Sequence, residues 1–262
     1  MSTAKSTALV TGASSGIGEE FARALAARGD DLVVVARDVA RCDGLAERLE
    51  MQHGVGVEVL PADLTTKKGR AAVEARLEST EPAIDLLVNN AGMGTYGRFA
   101  ELPRDSEERE IRLNVLAVVQ LSHAALAGMI ERGSGGIINV SSLAGYQPTP
   151  LNATYGGTKA FVTSFSQALH EELRGTGVKV MVLCPGFTRT EFQDRAGFDS
   201  GVVPSFLWQT PQPVVAAALH AYEQGRAVCI PGALNQAGAV FSRALPAGIT
   251  RRIAGAVLPR VE

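Results

Sequence analysis

Cysteine, histidine and aromatic residues are all scarce in this chain of 262 residues, and neither sign of charge dominates. The three cysteines, Cys42, Cys184 and Cys229, lie far apart and form no C-x-x-C pair, which argues against a disulfide framework and a thiolate zinc site. Cys184 and Cys229 fall inside apolar, strand-like runs, the setting of a buried thiol acting as a small hydrophobe. The four histidines, His53, His123, His170 and His220, show no ligand spacing, so no metal site is expected. With 25 Lys and Arg against 27 Asp and Glu, the net charge of −2 lacks the basic excess of a nucleic-acid binder. The N-terminus, MSTAKSTALV, enters a strand-like run without a charged leader and apolar signal core, so no export signal is expected. Nor is any stretch expected to reach the ~18 to 20 apolar residues of a bilayer span. These absences give little reason to propose membrane contact and make a cytoplasmic protein the default.

What is present is an ordinary globular balance, 46% hydrophobic and 20% charged, with 28 glycines that suit close packing of helices on a sheet. Short β-branched runs alternate with longer helix-like segments. Strands are expected at 7–10, 31–36, 55–60, 84–89, 136–140, 178–184 and 227–230. Helices are expected at about 16–28, 106–132, 154–174 and 211–224, with two more between the second and fourth strands. The strands are continuous apolar runs, as when both sheet faces are covered. The pattern predicts an α/β chain: a single-domain Rossmann fold over residues 1–262, with a doubly wound, seven-stranded parallel sheet and helices on both faces. In such a sheet ligands bind beyond the carboxyl ends of the strands, near the point where strand order reverses.

Residues that can carry chemistry fall at those ends. TGASSGIG (11–18) follows the first strand and opens the first helix; its glycines permit a tight turn, and a helix N-terminus offers N–H groups to a pyrophosphate. Its spacing, Gly12, Gly16 and Gly18, departs from G-x-G-x-x-G, and alone such a turn serves equally as a plain strand-to-helix connection. Asp63 follows the third strand, NNAG (89–92) the fourth, and Asn114 lies inside the long helix. Ser142 follows the fifth strand, Tyr155 and Lys159 belong to YGGTK, and PGFTRT (185–190) follows the sixth. Singly, each has a bland use as a surface pair, turn, cap or buried polar group. In this order, each in its strand or helix context, the chain resembles the short-chain dehydrogenase/reductase family over residues 7 to 190.

The chemistry suits these residue types. Tyr155 and Lys159 are four apart and share a helix face. An ammonium beside a phenol of ordinary pKa about 10 favours phenolate and brings the acid/base nearer working pH. Ser142, thirteen positions before Tyr155 as in the family, would hydrogen-bond the substrate oxygen; its neighbour Ser141 falls one short. The resemblance implies that Asn114 holds a water linking Lys159 to solvent. It implies a cofactor site from Gly12, Ser14, Ser15, Gly16, Ile17, Gly18, Asp63, Leu64, Asn90, Ala91, Gly92, Tyr155, Lys159, Pro185, Gly186, Thr188 and Thr190, with hydride transfer from the pro-S face. Where an NAD site has an acid at the end of the second strand, this chain has Ala36 and then Arg37, which can pair with a 2′-phosphate. Arg41 stands one turn on. NADP(H) is therefore expected in preference to NAD(H). Gly156 and Gly157 depart from the usual Ala or Ser and would permit a close approach of the backbone to the cofactor, or of another helix.

Residues 187–210 correspond to the family's substrate lid. Phe187, Phe192, Phe206, Leu207 and Trp208 either face an apolar substrate or form the lid's own small core. Met93, Tyr96 and Phe99 are candidates for another wall. The stretch 231–262 reads as a C-terminal extension of two helices, 235–245 and 247–258, about Pro246. It would serve as an interface or cover, or less readily lie on a membrane surface. With the VVARD ending, it looks like the family branch of NADP-dependent reductases that includes DltE-like proteins. The expected activity is interconversion of a carbonyl and an alcohol, in the reducing direction on a small apolar ketone or aldehyde. A hydroxysteroid-type alcohol dehydrogenase and a non-catalytic NADP(H) sensor are the alternatives. The family's habit implies a homodimer or homotetramer through the helices at 106–132 and 154–174.

Overall fold

The computed structural model of the chain describes residues 5–244. Seven parallel strands form one sheet: β1 (Thr7–Thr11), β2 (Asp31–Ala36), β3 (Val57–Pro61), β4 (Leu86–Asn89), β5 (Gly135–Val140), β6 (Val178–Leu183) and β7 (Val228–Cys229). Their order is β3-β2-β1-β4-β5-β6-β7, so the direction of winding reverses between β1 and β4. The helices are α1 (Gly16–Ala26), α2 (Val39–His53), α3 (Lys67–Glu78), α4 (Arg104–Ile111), α5 (Val118–Arg132), α6 (Ala153–Glu172), α7 (Phe192–Ala196), α8 (Pro211–Glu223) and α9 (Ala233–Ala244). The expected second C-terminal helix lies outside the described residues.

The apolar runs are continuous because alternate residues of one strand enter different cores. Ala8 and Val10 pack with Phe21, Leu25, Leu45, Val214 and Ala218, beneath α1, α2 and α8. Leu9 packs on the opposite face with Val73, Leu77, Leu121 and Met129, beneath α3 and α5. Local signals set the helix ends: Asp38 accepts the Arg41 N–H at 3.1 Å before α2, and Gly54 ends it at φ +65°.

Three expectations change. β7 keeps only two of its four expected residues, ending at Cys229, two positions before Pro231, which has no N–H for the ladder. The long helix starts at Arg104 and is not uniform, because Arg112–Ala117 forms a π-helical turn between α4 and α5. Such turns gather at functional sites, and this one carries Asn114. Finally, Arg104–Arg132 is long and apolar enough to cross a membrane by length and composition, contrary to the prediction that no segment is. Its apolar residues Ala117, Leu121, Ala124, Ala125 and Met129 face the sheet and α3, which accounts for their character.

Candidate active site

The cleft opens at the carboxyl ends of β1 and β4. Gly12 turns the chain at φ +68°, and Gly18 passes so close that a Cβ there would lie 2.2 Å from the Gly12 oxygen. A Cβ on Gly16 would come 2.8 Å from the Thr190 methyl, so the loop after β6 closes one side of the same turn. Among the described residues no side chain caps α1 at Ser15, which leaves first-turn N–H groups available. These features fit a dinucleotide pyrophosphate, for which side chains at the glycine positions would leave no room.

Thr11, which opens TGASSGIG but is not among the expected cofactor contacts, ties the floor together. Its hydroxyl accepts the N–H groups of Asn90 and Ala91, each at 3.0 Å, and donates to the Val88 carbonyl at 3.3 Å. The Asn90 amide donates to the carbonyls of Thr11 and Gly12 at 2.9 and 3.3 Å, so this side chain shapes the glycine turn. The Leu64 side chain is buried in the core beneath α3, which leaves its backbone as the part open to a cofactor. Asp63 accepts from the Thr65 hydroxyl and N–H at 2.7 and 3.0 Å. Burial works against its charge, but those bonds and the Arg37 and Arg109 guanidinium groups hold the carboxyl below its ordinary value. A cavity of about 260 Å³ between the glycine turn and α2 is lined by Ser14, Glu19, Ala40, Arg41, Gly44 and Arg48. Arg41 reaches across to Glu191 in the lid at 2.8 and 2.9 Å.

Ser141 and Ser142 separate cleanly. In extended backbone neighbouring side chains point to opposite sides. Ser141 is buried, donating to the Lys159 carbonyl and sharing a bond with Thr163, both at 2.7 Å. The Ser142 hydroxyl faces Tyr155 and opposes the rise of its phenol, while it accepts the Ala144 N–H at 3.1 Å. Lys159 is 5% exposed; its ammonium donates to the Val140 carbonyl at 2.9 Å and stands 5.6 Å from the Tyr155 ring centre. The phenol is raised, not lowered as expected. Burial pushes Tyr155 up to about 12 despite the Ser142 hydroxyl, with Glu110 adding to the rise. Burial brings Lys159 down to about 8, against the pull of Glu110.

The Asn114 side chain is held by protein groups on both sides. Its amide donates to the Met93 carbonyl at 2.8 Å and to Thr158 at 3.1 Å, and its oxygen accepts the Met93 N–H at 3.0 Å. It thus clamps the loop after β4 to α6. Gly156 permits a close approach, though of Thr149, whose hydroxyl would lie 2.0 Å from an added Cβ; Gly157 faces open space.

The lid is pinned at its neck by a bridge between Thr188 and Gln209. Thr188 also donates to the Gly186 carbonyl at 3.1 Å, while the Pro185 carbonyl accepts from Leu143 at 2.9 Å. Asn235 of α9, absent from the sequence-derived site, packs on Gly186 and donates to Gln209 at 3.0 Å. The lid aromatics divide into two groups. Phe187 stacks on Phe198 and meets Trp208 at a tilt, with ring centres 6.1 and 5.4 Å apart, and Tyr96 meets Phe198 edge-on at 5.2 Å. Phe192 instead packs on Tyr155 at 5.4 Å, while Phe206 and Phe99, 72% and 64% exposed, wall no pocket.

A dinucleotide-fitting turn and a Ser-Tyr-Lys group at the switch point of a parallel sheet define a nicotinamide-dependent oxidoreductase site. Residues 6–199 match the family described as short chain dehydrogenase, and the chain belongs to that short-chain dehydrogenase/reductase family. A short-chain dehydrogenase from Sphingobium yanoikuyae in complex with NADPH is 38% identical with a TM-score of 0.84, and the match covers 98% of each chain. A bulky-bulky ketone specific alcohol dehydrogenase from Comamonas testosteroni is 35% identical with a TM-score of 0.81, covering 99% of this chain and 97% of that one. The very-long-chain 3-oxoacyl-CoA reductase of Anas platyrhynchos is 35% identical over 217 residues, 81% of this chain and 67% of that protein.

Proposed function

We propose that this oxidoreductase reduces the carbonyl of a small apolar ketone or aldehyde with NADPH, and that Tyr155 gives the proton. The observation that carries the reading is the placement of Ser142 and Lys159 about Tyr155. The nicotinamide, when bound, supplies the hydride. Ser142 is placed to hydrogen-bond the substrate oxygen as charge gathers there. A phenol pushed up to about 12 is a proton donor at neutral pH, which favours reduction over oxidation of a hydroxysteroid-type alcohol. Below about 8 the Lys159 ammonium is charged and favours the phenolate left behind. An intact Ser-Tyr-Lys group has no use in a sensor without turnover.

The glycine turn, Ser14, Ser15 and Ile17 would hold the pyrophosphate, with Thr190 at its edge. Asp63 and the backbone of Leu64 would meet the adenine, and Ala91, Gly92, Pro185, Gly186 and Thr188 the nicotinamide end. Arg37 after β2, with Arg41 and Arg48 lining the adjoining cavity, favours a 2′-phosphate and supports the NADP branch that includes DltE-like reductases. Phe192 against Tyr155 favours an apolar substrate, as the ketone and 3-oxoacyl relatives also suggest, with residues 187–210 as its lid. The exposed Leu116, Ile130 and Phe161 on the π-turn, α5 and α6 support a homo-oligomer, which sedimentation would size.

The test follows NADPH absorbance against ketones, aldehydes and β-keto acyl compounds, with NADH and Tyr155→Phe as controls. Turnover with NADPH that the mutant lacks is expected. NADPH binding without turnover on any substrate would count for the sensor.

A further inference from the structure

Two carboxyl groups on α4 stand outside the reaction just described. Glu107 and Glu110 share one helix face and both meet Thr95 in the loop after β4. Thr95 Oγ1 lies 2.6 Å from Glu107 Oε1 and 2.8 Å from Glu110 Oε2. A hydroxyl carries one proton and can donate it fully to only one carboxylate. The second short contact calls for a proton on a carboxyl group, and the surroundings say which. Glu107 also accepts from Thr154 through Oε2, so both its oxygens receive donors, as suits an ionised group. Glu110 is 0% exposed, and among the described residues its Oε1 has no hydrogen-bond partner. Ionised, it would leave a charge and an orphan oxygen away from water; protonated, it needs one acceptor, and Thr95 is in place.

We propose that Glu110 is a positioning residue held as a neutral carboxylic acid, donating to Thr95, which donates to an ionised Glu107, and that loss of this proton slows reduction at alkaline pH. The pH role rests on the assignment of Tyr155 and Lys159 as the proton-transfer pair. The charged and titratable groups that face Glu110 are Glu107 on α4 and Lys159 and Tyr155 on α6, while the loop after β4 contributes uncharged Thr95. Burial pushes Glu110 up to about 7, although the Thr95 bond and Lys159 oppose it.

Two consequences follow ionisation. The new charge raises both Tyr155 and Lys159, so the phenol gives up its proton less readily. Two carboxylates then compete for one Thr95 proton, which loosens the loop from α4. That loop abuts the reacting ring: a Cβ on Gly94 would lie 3.3 Å from Tyr155 Cδ2.

Infrared spectroscopy of the full chain without turnover tests the proton, and the pH profile of carbonyl reduction tests its role. The wild type should show a carboxylic-acid carbonyl band below neutrality that shifts in heavy water and fades as pH passes about 7. Glu110→Gln should lack it, and Thr95→Val should move it by removing the acceptor. Wild-type kcat should fall on the order of tenfold through the same transition, the size expected of one added charge nearby, with KM changing less. In Glu110→Gln, whose amide can donate to Thr95 in the acid's place, kcat should be flat through that range. A band that persists in Glu110→Gln, or none in the wild type, overturns the proton assignment. An inflection retained in Glu110→Gln overturns the pH role. Turnover persisting in Tyr155→Phe would sink the underlying reading and the pH role with it, while the band would still decide where the proton sits.

Discussion

The Lys159 ammonium donates its 2.9 Å hydrogen bond to the Val140 carbonyl, not to the phenol four residues before it. The end of β5 therefore fixes the cation behind Tyr155, and its effect on the ring is electrostatic, through 5.6 Å to the centroid. Ser142, just past the end of β5, faces the phenol and works against its rise. The two neighbours of Tyr155 thus have separable duties, one of charge and one of contact.

Removing the phenol hydroxyl should abolish proton transfer while leaving the ring packed on Phe192. Tyr155→Phe is expected to lose at least about a hundredfold in kcat, the scale of general acid catalysis. Steady-state turnover measures this, and circular dichroism should show the native fold.

The paired glycines of α6 should respond in opposite directions. Gly157→Ala adds a methyl group in open space and should stabilise by about 0.5 to 1 kcal/mol through helix propensity. Gly156→Ala drives a Cβ into Thr149 and should destabilise by about 1 to 3 kcal/mol. Urea unfolding of the two variants reads both signs.

Charge at the end of β2 should decide the cofactor. Arg37→Asp removes a guanidinium and adds repulsion toward a 2′-phosphate, so the ratio of kcat/KM for NADPH to that for NADH should fall on the order of tenfold to a hundredfold. An unchanged ratio would leave Arg37 a solvated surface charge.

Glu110 should also leave a mark on stability. Its native value of about 7 lies above the ordinary 4.5, so the folded chain holds this proton more tightly than the unfolded one. The stabilisation is complete below about 4.5 and lost as pH rises through about 7. Relative to Glu110→Gln, the wild type should lose about 3 kcal/mol across that window, as denaturant titrations at its two ends would show.

Much of this was legible beforehand because it is local. Continuous apolar runs mark all seven strands, and Asp38 and Gly54 punctuate α2 as their types require. The glycine turn and the spacing from Ser142 to Tyr155 and Lys159 depend on residues close in the chain. Other residues gave no such signal. Thr11 opens the glycine-turn motif, yet only the approach of β4 makes it the hub for Asn90 and Ala91. Glu107 and Glu110 read as the polar face of a surface helix, yet Thr95 and α6 bury them. Leu64 follows a motif residue but faces the core, and Phe206 falls in the lid but faces solvent.

The sequence by itself determined the alternation of strands and helices, the place of each motif at a strand end, and hence the family. Periodicity and backbone freedom act over a few residues and are written in the chain. Tertiary structure decided which way side chains point and what they meet: Ser142 rather than Ser141 on Tyr155, Asn114 as a clamp, and two carboxyl groups sharing one hydroxyl. Those outcomes depend on burial and on contacts between distant segments, which exist only once the sheet and its helices have packed.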